Sequence, residues 1–195
     1  MPPPSTKPNH AKTYPSPTAF ITHLLTTYPH TRISLILCLS PTTAHLRLPR
    51  TLQTISAARN ILVTFVPTPS LFRATVASLQ DKRPEEIGVL AVWGLVRAHW
   101  IAGSEEWWAG GIGRGVAAVV DVAGCGWVFG EGVFEQGGEE GDEGAGSEDG
   151  NGGGGGEEWW GAEVPVLVGG GRSTDVARVF GKWCIVEGAG EVVDG

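Results

Sequence analysis

Few cysteines and no long apolar runs occur in this chain of 195 residues. The three cysteines, Cys38, Cys125 and Cys184, are odd in number and far apart, which fits reduced thiols better than a disulfide framework. No apolar run approaches the roughly 20 residues that a membrane-spanning helix needs. Residues 1–17 are rich in proline and lack the apolar core of a secretory signal, so we predict a flexible leader there. These absences predict an intracellular protein that makes no membrane contact.

Each half of the chain is poor in charge of one sign. Residues 1–100 contain ten Lys and Arg against three Asp and Glu, whereas residues 101–195 contain four against eighteen. We therefore expect the first half to present a basic surface, which suits nucleic acid or an acidic partner. Because no basic cluster is longer than a pair, scattered solvated arginines are the alternative interpretation.

The sequence also lacks both halves of a nucleotide-phosphate site. The P-loop pattern GxxxxGK[ST] occurs nowhere, and neither glycine run, at 152–156 and at 169–171, leads into Gly-Lys-Ser/Thr. The acid that would hold magnesium at the end of a buried strand is replaced by Trp93. An indole cannot ligate magnesium, so we predict no catalytic residue, no metal and no cofactor.

Apolar runs alternate with amphipathic segments along most of the chain. Short runs without polar alternation predict strands buried on both faces, and apolar stripes at helical spacing predict helices. The predicted strands are 33–39, 61–66, 87–93, 126–129 and 164–168, and the predicted helices are 18–28, 49–58, 70–80 and 109–123. One or two further strands over 174–187 are predicted to pair antiparallel at the sheet edge. The order predicts an α/β fold, with an open, mostly parallel sheet and helices on both faces.

A stretch of low complexity interrupts this order at about 130–163. It is rich in Gly, Glu and Asp, and eleven acids but no base lie between Glu131 and Glu163. Such a composition buries too little apolar surface to offset its ordering entropy, so we predict a disordered acidic insert. The prediction is one domain over 18–187 that contains this insert, followed by a tail at 188–195. The insert could tether a basic partner, or it could be a tolerated surface loop.

Eight tryptophans are present, including the pairs Trp107-Trp108 and Trp159-Trp160. Aromatic side chains near arginine stack on unpaired bases, and they also anchor protein interfaces. Both pairs adjoin a Glu-Glu dipeptide, which repels phosphate. Protein contact or core packing is therefore favoured over nucleic acid.

The glycine-rich segment at 110–115 resembles the phosphate turn of short-chain dehydrogenases, a Rossmann-type turn. Such a turn should follow the first strand directly, but residues 103–108 intervene, and no Tyr-x-x-x-Lys follows. A dehydrogenase that uses NAD(P) is therefore one alternative function. The other interpretation is a helix of small residues that packs closely on the sheet.

The order of elements resembles the RecA-like core of strand-exchange recombinases and their paralogues. In that core the strand corresponding to 87–93 usually ends in the magnesium acid, and the segment 104–114 looks like a variant of the S-x-x-x-A-x-G-x-x-R segment that follows. The resemblance covers about residues 18–187 apart from the insert. It implies that the first strand and P-loop of that core are missing before residue 18, so that no catalytic residue can be carried over.

The resemblance implies a non-catalytic RecA-like subunit, similar to the non-ATPase paralogues of Shu-type complexes. These assist recombinase loading in DNA repair, so the expected setting is a nuclear accessory complex for homologous recombination. The RecA-like subunits of the Elongator complex, which acts in tRNA modification, are the alternative. The expected partner is another RecA-like or recombination-mediator protein, with weak contact to single-stranded DNA.

Two sets of candidate binding residues follow from this interpretation. The expected partner contacts are Trp93, Trp107, Trp108 and Arg114. The expected contacts to single-stranded DNA are Arg47, Arg50 and Arg59.

Overall fold

A central sheet of parallel strands organises the fold. The computed structural model describes residues 9–42, 46, 48, 51–103, 105–122, 126–134, 157–168 and 171–187. The strands are β1 (His10–Thr13), β2 (Ile33–Leu37), β3 (Ile61–Phe65), β4 (Val89–Trp93), β5 (Trp127–Glu131), β6 (Val133–Phe134), β7 (Glu157–Glu158), β8 (Glu163–Pro165), β9 (Ser173–Asp175) and β10 (Ile185–Glu187). Six of them form one sheet in the order β10-β1-β5-β4-β2-β3, and every neighbouring pair in it is parallel.

Helices cover both faces of this sheet. They are α1 (Pro17–Thr27), α2 (Leu52–Ala58), α3 (Pro69–Ala77), α4 (Pro84–Ile87), α5 (Leu95–Ile101), α6 (Ala109–Val122) and α7 (Val176–Phe180), with a 3₁₀ turn at Trp159–Gly161. One buried apolar cluster contains side chains of α1 and α2, and a second contains side chains of α3, α5, α6 and α7. The predicted α/β fold, with a mostly parallel sheet between two helical layers, is therefore confirmed.

Local sequence signals fix where several helices begin. The Ser16 hydroxyl accepts a hydrogen bond from the Ala19 amide at 3.1 Å, and Pro17 occupies the first turn of α1. Thr68 and Pro69 start α3 in the same way, since the Thr68 hydroxyl accepts from the Leu71 amide. The predicted helices at 18–28 and 70–80 thus begin within a residue of the observed ones.

Glycine in α6 permits the close packing that its small residues predict. A Cβ at Gly115 would stand 3.5 Å from both Leu95 and Phe72, which lie on α5 and α3. The helix therefore approaches its neighbours closely without a clash. This agrees with the interpretation of the segment as a helix of small residues.

The predicted flexible leader is wrong over residues 10–13, which form β1. This strand lies inside the sheet, where His10 is paired with Val128 on one side and with Ile185 on the other. Ala11 is fully buried, and Lys12 forms an ion pair with Glu187 at 3.0 Å. The expectation that no strand precedes the first helix is wrong for the same reason. Four residues with one apolar side chain give no strand signal by themselves.

The C-terminal part contains a helix that the sequence did not predict. Antiparallel pairing is present between β8 and β9, which form a separate two-stranded sheet. The helix α7 then carries the chain to β10, and this crossover lets β10 run parallel to β1 at the sheet edge.

Some apolar side chains of the predicted helices are exposed. Leu52 and Ile55 on α2 are 87% and 51% exposed, and Leu71 on α3 is 45% exposed. The predicted disordered insert is also too long, because Trp159 and Trp160 are buried in the core. Its residues 135–156 and the predicted tail at 188–195 lie outside the described residues.

Candidate functional site

In an open parallel sheet, ligands bind outside the carboxyl ends of the strands, at the point where the strand order reverses. Here the chain crosses from β1 to β2 in one direction and from β4 to β5 in the other. The helix α1 packs on one face and α5 on the opposite face. A ligand site is therefore expected at the carboxyl ends of β1, β5 and β4.

Three aromatic side chains fill this place, and we call them the switch-point cluster: Tyr14, Phe20 and Trp93. The ring centroids of Tyr14 and Phe20 are 5.0 Å apart, and those of Phe20 and Trp93 are 5.5 Å apart. All three are buried, with 6%, 0% and 4% of their surface exposed. A Cβ added at Gly130, on β5, would lie 2.7 Å from Phe20 and 2.9 Å from Trp93. The space is thus too small even for one additional methyl group.

The predicted role of Trp93 as a partner contact is wrong for this structure. Its indole packs against Phe20 and Tyr14 inside the domain and presents almost no surface to solvent. The residue stands at the end of β4 as expected, but its side chain turns into the crevice. Trp93 therefore stabilises the core.

A buried carboxyl group, Glu131, ends β5 beside this cluster. Its Oε1 accepts a hydrogen bond from the Val96 amide at 2.8 Å, whereas its Oε2 has no hydrogen-bond partner among the described residues. Burial raises the pKa of Glu131 to about 8, although amides at the start of α5 lower it. A carboxyl that is largely protonated at neutral pH is a poor ligand for a cation.

An ion-pair cluster fixes the loop between α5 and α6. The Arg73 guanidinium donates two hydrogen bonds to the Glu106 carboxylate, at 2.9 and 3.0 Å. His99 is fully buried, and its Nδ1 lies 2.8 Å from the Glu106 carbonyl oxygen. Burial lowers the pKa of His99, so its neutral ring donates this hydrogen bond from Nδ1. These contacts hold in place the loop that carries Trp107 and Trp108.

The two tryptophans of that loop are half-buried and have different surroundings. Trp107 lies between Trp100 and Trp159, with ring centroids 5.0 and 6.4 Å away. Trp108 lies below the Arg114 guanidinium, which is 4.7 Å from the centre of its ring. The structure therefore brings Trp108 and Arg114 together, while Trp107 belongs to a neighbouring aromatic group.

A groove between α6 and α7 begins at Arg114, and we call it the α6–α7 groove. It encloses about 620 Å³. Its lining residues come from α6, from α7 and the turn after it, and from the β8–β9 region: Ala109, Gly110, Gly113, Arg114, Ala117, Val166, Thr174, Arg178, Val179, Lys182 and Trp183. Of the predicted partner contacts, only Arg114 lines this groove.

The predicted DNA contacts are described in part. Arg47 and Arg50 lie outside the described residues. Arg59 is exposed at the end of α2 and borders a cleft of about 370 Å³ with Arg32 and Lys82, near the amino ends of β2 and β3. Glu86 is the acid that lines the same cleft. The cleft is therefore basic on balance.

The Rossmann-type alternative for residues 110–115 finds no support in the position of this segment. Residues 110–113 lie in the first turns of α6, which follows a loop after α5 and does not follow a strand. The strand order also differs from the dinucleotide-binding order 3-2-1-4-5-6, because β4 and β5 separate β2 from β1. This arrangement gives no support to a dehydrogenase.

Among the described residues, no group of three or more His, Cys, Asp or Glu could hold a metal ion, and none of the helices has the length and apolar composition of a membrane span. The class that the structure defines is a parallel α/β domain with a filled switch point. No protein-family model matches the chain, and no curated protein matches it significantly.

Several residues of these sites were not singled out from the sequence. Arg178, Lys182 and Trp183 were assigned to a strand, and Glu131 to a disordered insert. The pattern Asp-x-x-Arg at 175–178 marks a capped helix start, since the Asp175 carboxylate accepts from the Arg178 amide. That signal predicts that Arg178 lies on a helix and not on a strand.

Proposed function

We propose that this chain is a non-catalytic RecA-like subunit of a nuclear accessory complex for DNA repair by homologous recombination. It works by protein–protein contact with another RecA-like or recombination-mediator protein. The observation that supports this most is the switch-point cluster, because Tyr14, Phe20 and Trp93 occupy the crevice where a nucleotide would bind. The scaffold of an α/β nucleotide-binding domain is kept while the space for the nucleotide is closed.

The open edge of the sheet offers a surface for that partner. The Asn60 carbonyl accepts from Ile33 and the Val66 amide donates to Leu37, so the even-numbered residues of β3 turn their backbone groups toward β2. Ile61, Val63 and Phe65 turn theirs outward, since successive residues alternate. In the described part of the chain, no strand pairs with this outer edge.

Apolar side chains flank the same edge. Leu62 on β3 is 59% exposed, and the exposed Leu52 and Ile55 lie on α2, which immediately precedes it in the chain. A strand that added to β3 would gain main-chain hydrogen bonds and could bury these side chains. This favours a partner that contributes an extended segment.

Contact with single-stranded DNA is the weaker part of the proposal. Arg32, Arg59 and Lys82 border one cleft, where they could neutralise a few phosphates. Binding should therefore weaken as salt is added, by release of counterions. Failure to retain single-stranded DNA at low salt, with and without the partner, would remove this part.

Nucleotide binding tests the non-catalytic assignment. We expect a fluorescent ATP analogue with magnesium to show no saturable binding to the purified chain, because Phe20 and Trp93 fill its place. A recombinase ATPase measured in parallel provides the positive control. Micromolar, magnesium-dependent binding would overturn the assignment.

Partner capture tests the sheet edge. Val63→Pro removes a backbone N–H that points away from β2, so no hydrogen bond to β2 is lost. Proline is tolerated at such positions of edge strands. We expect this variant to lose partners that the wild type and Val63→Ala retain in affinity purification with mass spectrometry. Recovery of recombination proteins agrees with the proposal, and recovery of Elongator subunits would replace it with the tRNA-modification alternative.

A further inference from the structure

The α6–α7 groove is a second surface, distinct from the β3 edge of the sheet. The side of α6 that forms its base carries small residues. Ala109, Gly113 and Ala117 share one side of α6 and contribute little side-chain volume. A Cβ at Gly113 would stand 3.6 Å from Trp183 and 3.7 Å from Val179, which is ordinary contact distance. At this position there is therefore room for one methyl group in contact with these two side chains.

The walls of the groove are mainly apolar. Val179 and Trp183 come from α7 and the turn after it, and Val166 lies opposite, after β8. Trp183 is half-buried, and Val166 is 39% exposed. The groove volume of about 620 Å³ falls within the range of ligand clefts, so a bulky aliphatic or aromatic side chain can enter the groove.

Three cations border these apolar walls. Arg114 lies over Trp108, and neither Arg114 nor Lys182 forms an ion pair with another described residue. Arg178 shares its charge with Asp175, whose Oδ2 is 3.4 Å from its Nε, and an exposed pair of this kind is weak. The rim is therefore positive on a chain whose net charge is −7.

This composition favours a protein segment over a nucleic-acid strand. Non-specific binding of a single strand uses a basic track along the backbone together with aromatic rings on which successive bases stack. The groove offers one tryptophan, Trp183, between aliphatic walls.

We propose that the α6–α7 groove binds a short acidic segment of a partner protein. In this complex a bulky apolar side chain of the segment enters the groove and packs against Val166, Val179 and Trp183, and flanking Asp or Glu residues pair with Arg114 and Lys182. This inference rests on the proposed function of a binding subunit and names the chemistry that its second surface recognises.

Fluorescence anisotropy with the purified full chain provides the test. The probe is a labelled peptide with a central Phe between pairs of Asp, and the comparison peptides carry Lys in place of Asp or Ala in place of Phe. Gly113→Leu fills the groove without changing charge, and the double variant Arg114→Glu/Lys182→Glu reverses the rim without filling it. Arg83→Glu, at an exposed arginine outside the groove, is the matched control.

We expect the Asp-Phe peptide to bind the wild type and Arg83→Glu alike, and to bind each groove variant about tenfold more weakly or worse. Circular dichroism checks that Gly113→Leu folds, and the double variant provides an independent result if it does not. The proposal is overturned if the wild-type chain does not bind the Asp-Phe peptide, or if it binds the Lys peptide equally well. Binding of oligothymidylate, lost in the same variants, would assign the groove to nucleic acid and overturn it too.

The outcome can be separated from that of the proposed function. If the peptide fails to bind while partner capture still depends on Val63, the groove inference is wrong and the binding subunit stands. If the ATP analogue binds with magnesium, the non-catalytic assignment is wrong whatever the peptide does.

Discussion

A glycine faces apolar side chains both in the switch-point cluster and in the α6–α7 groove, but the room around the two glycines differs. At Gly130 the space is used up, since an added Cβ would be 2.7 Å from Phe20. At Gly113 a methyl group fits, since an added Cβ would be 3.6 Å from Trp183, an ordinary contact distance. One place is closed by aromatic packing, and the other is a groove bordered by Arg114 and Lys182, which form no ion pair within the described part of the chain. The proposed binding surfaces therefore exclude the ends of the strands, where aromatic side chains leave no room.

Among the substitutions predicted here, removal of the Phe20 ring from the switch-point cluster should lower the free energy of unfolding most. Phe20 is fully buried between Tyr14 and Trp93, so Phe20→Ala should cost about 3–5 kcal/mol in the free energy of unfolding. Leu52→Ala is the matched control, because Leu52 is 87% exposed and its loss should change stability by less than about 0.5 kcal/mol. Urea unfolding measures both. Equal effects would show that the crevice is not closed by packing.

The buried carboxyl of Glu131 should give the closed region its own pH dependence. With its pKa raised to about 8 by burial, the folded chain keeps a proton that the unfolded chain releases above pH 4.5. Glu131 should therefore lower the free energy of unfolding as pH rises from 4.5 to 8, by a few kcal/mol, since each pKa unit corresponds to about 1.4 kcal/mol.

Comparison with Glu131→Gln isolates this contribution. His99 acts in the opposite direction, because its lowered pKa makes stability fall as pH drops below 6.5. Urea unfolding at several pH values for both chains removes this shared term. A difference between wild type and Glu131→Gln that stays constant from pH 4.5 to 8 would contradict the prediction.

Adding a methyl group at Gly130 or at Gly113 should change the free energy of unfolding by a smaller amount, and in opposite directions at the two sites. Gly130→Ala forces Phe20 or Trp93 to move, so we expect a loss of about 1–3 kcal/mol. Gly113→Ala meets only ordinary contacts on a helix, so we expect a gain of up to about 1 kcal/mol. Thermal and urea unfolding measure both changes. If the two substitutions shift stability in the same direction, the contrast between a closed and an open site is wrong.

The sequence predicts the apolar centre of this fold well and its ends poorly. Strands β2, β4 and β5 follow from predominantly apolar runs, because burial on both faces demands such runs. The strand β1 does not, since its place between β5 and β10 depends on partners more than 100 residues away. The helix α7 was missed because its valines also favour a strand.

The candidate sites were predictable only where the chain itself brings residues together. Trp108 and Arg114 are only six residues apart, one just before α6 and the other in it, so their contact is local in the chain. Closure of the crevice depends on Tyr14 and Phe20 meeting Trp93, a tertiary contact that no local pattern encodes. Arg178 and Lys182 reach the same groove as Arg114 only because α7 packs beside α6.

The position of β1 also has a consequence for biosynthesis. Its neighbours in the sheet are β5 and β10, whose registers pair His10 with Val128 and with Ile185. A nascent chain emerging from the ribosome therefore holds β1 without a sheet partner until β5 has been translated more than 100 residues later, and its second neighbour, β10, follows only after that. Pairing between such distant segments is slow, and during that interval the bare strand edges on both sides of the gap are where a chaperone would bind.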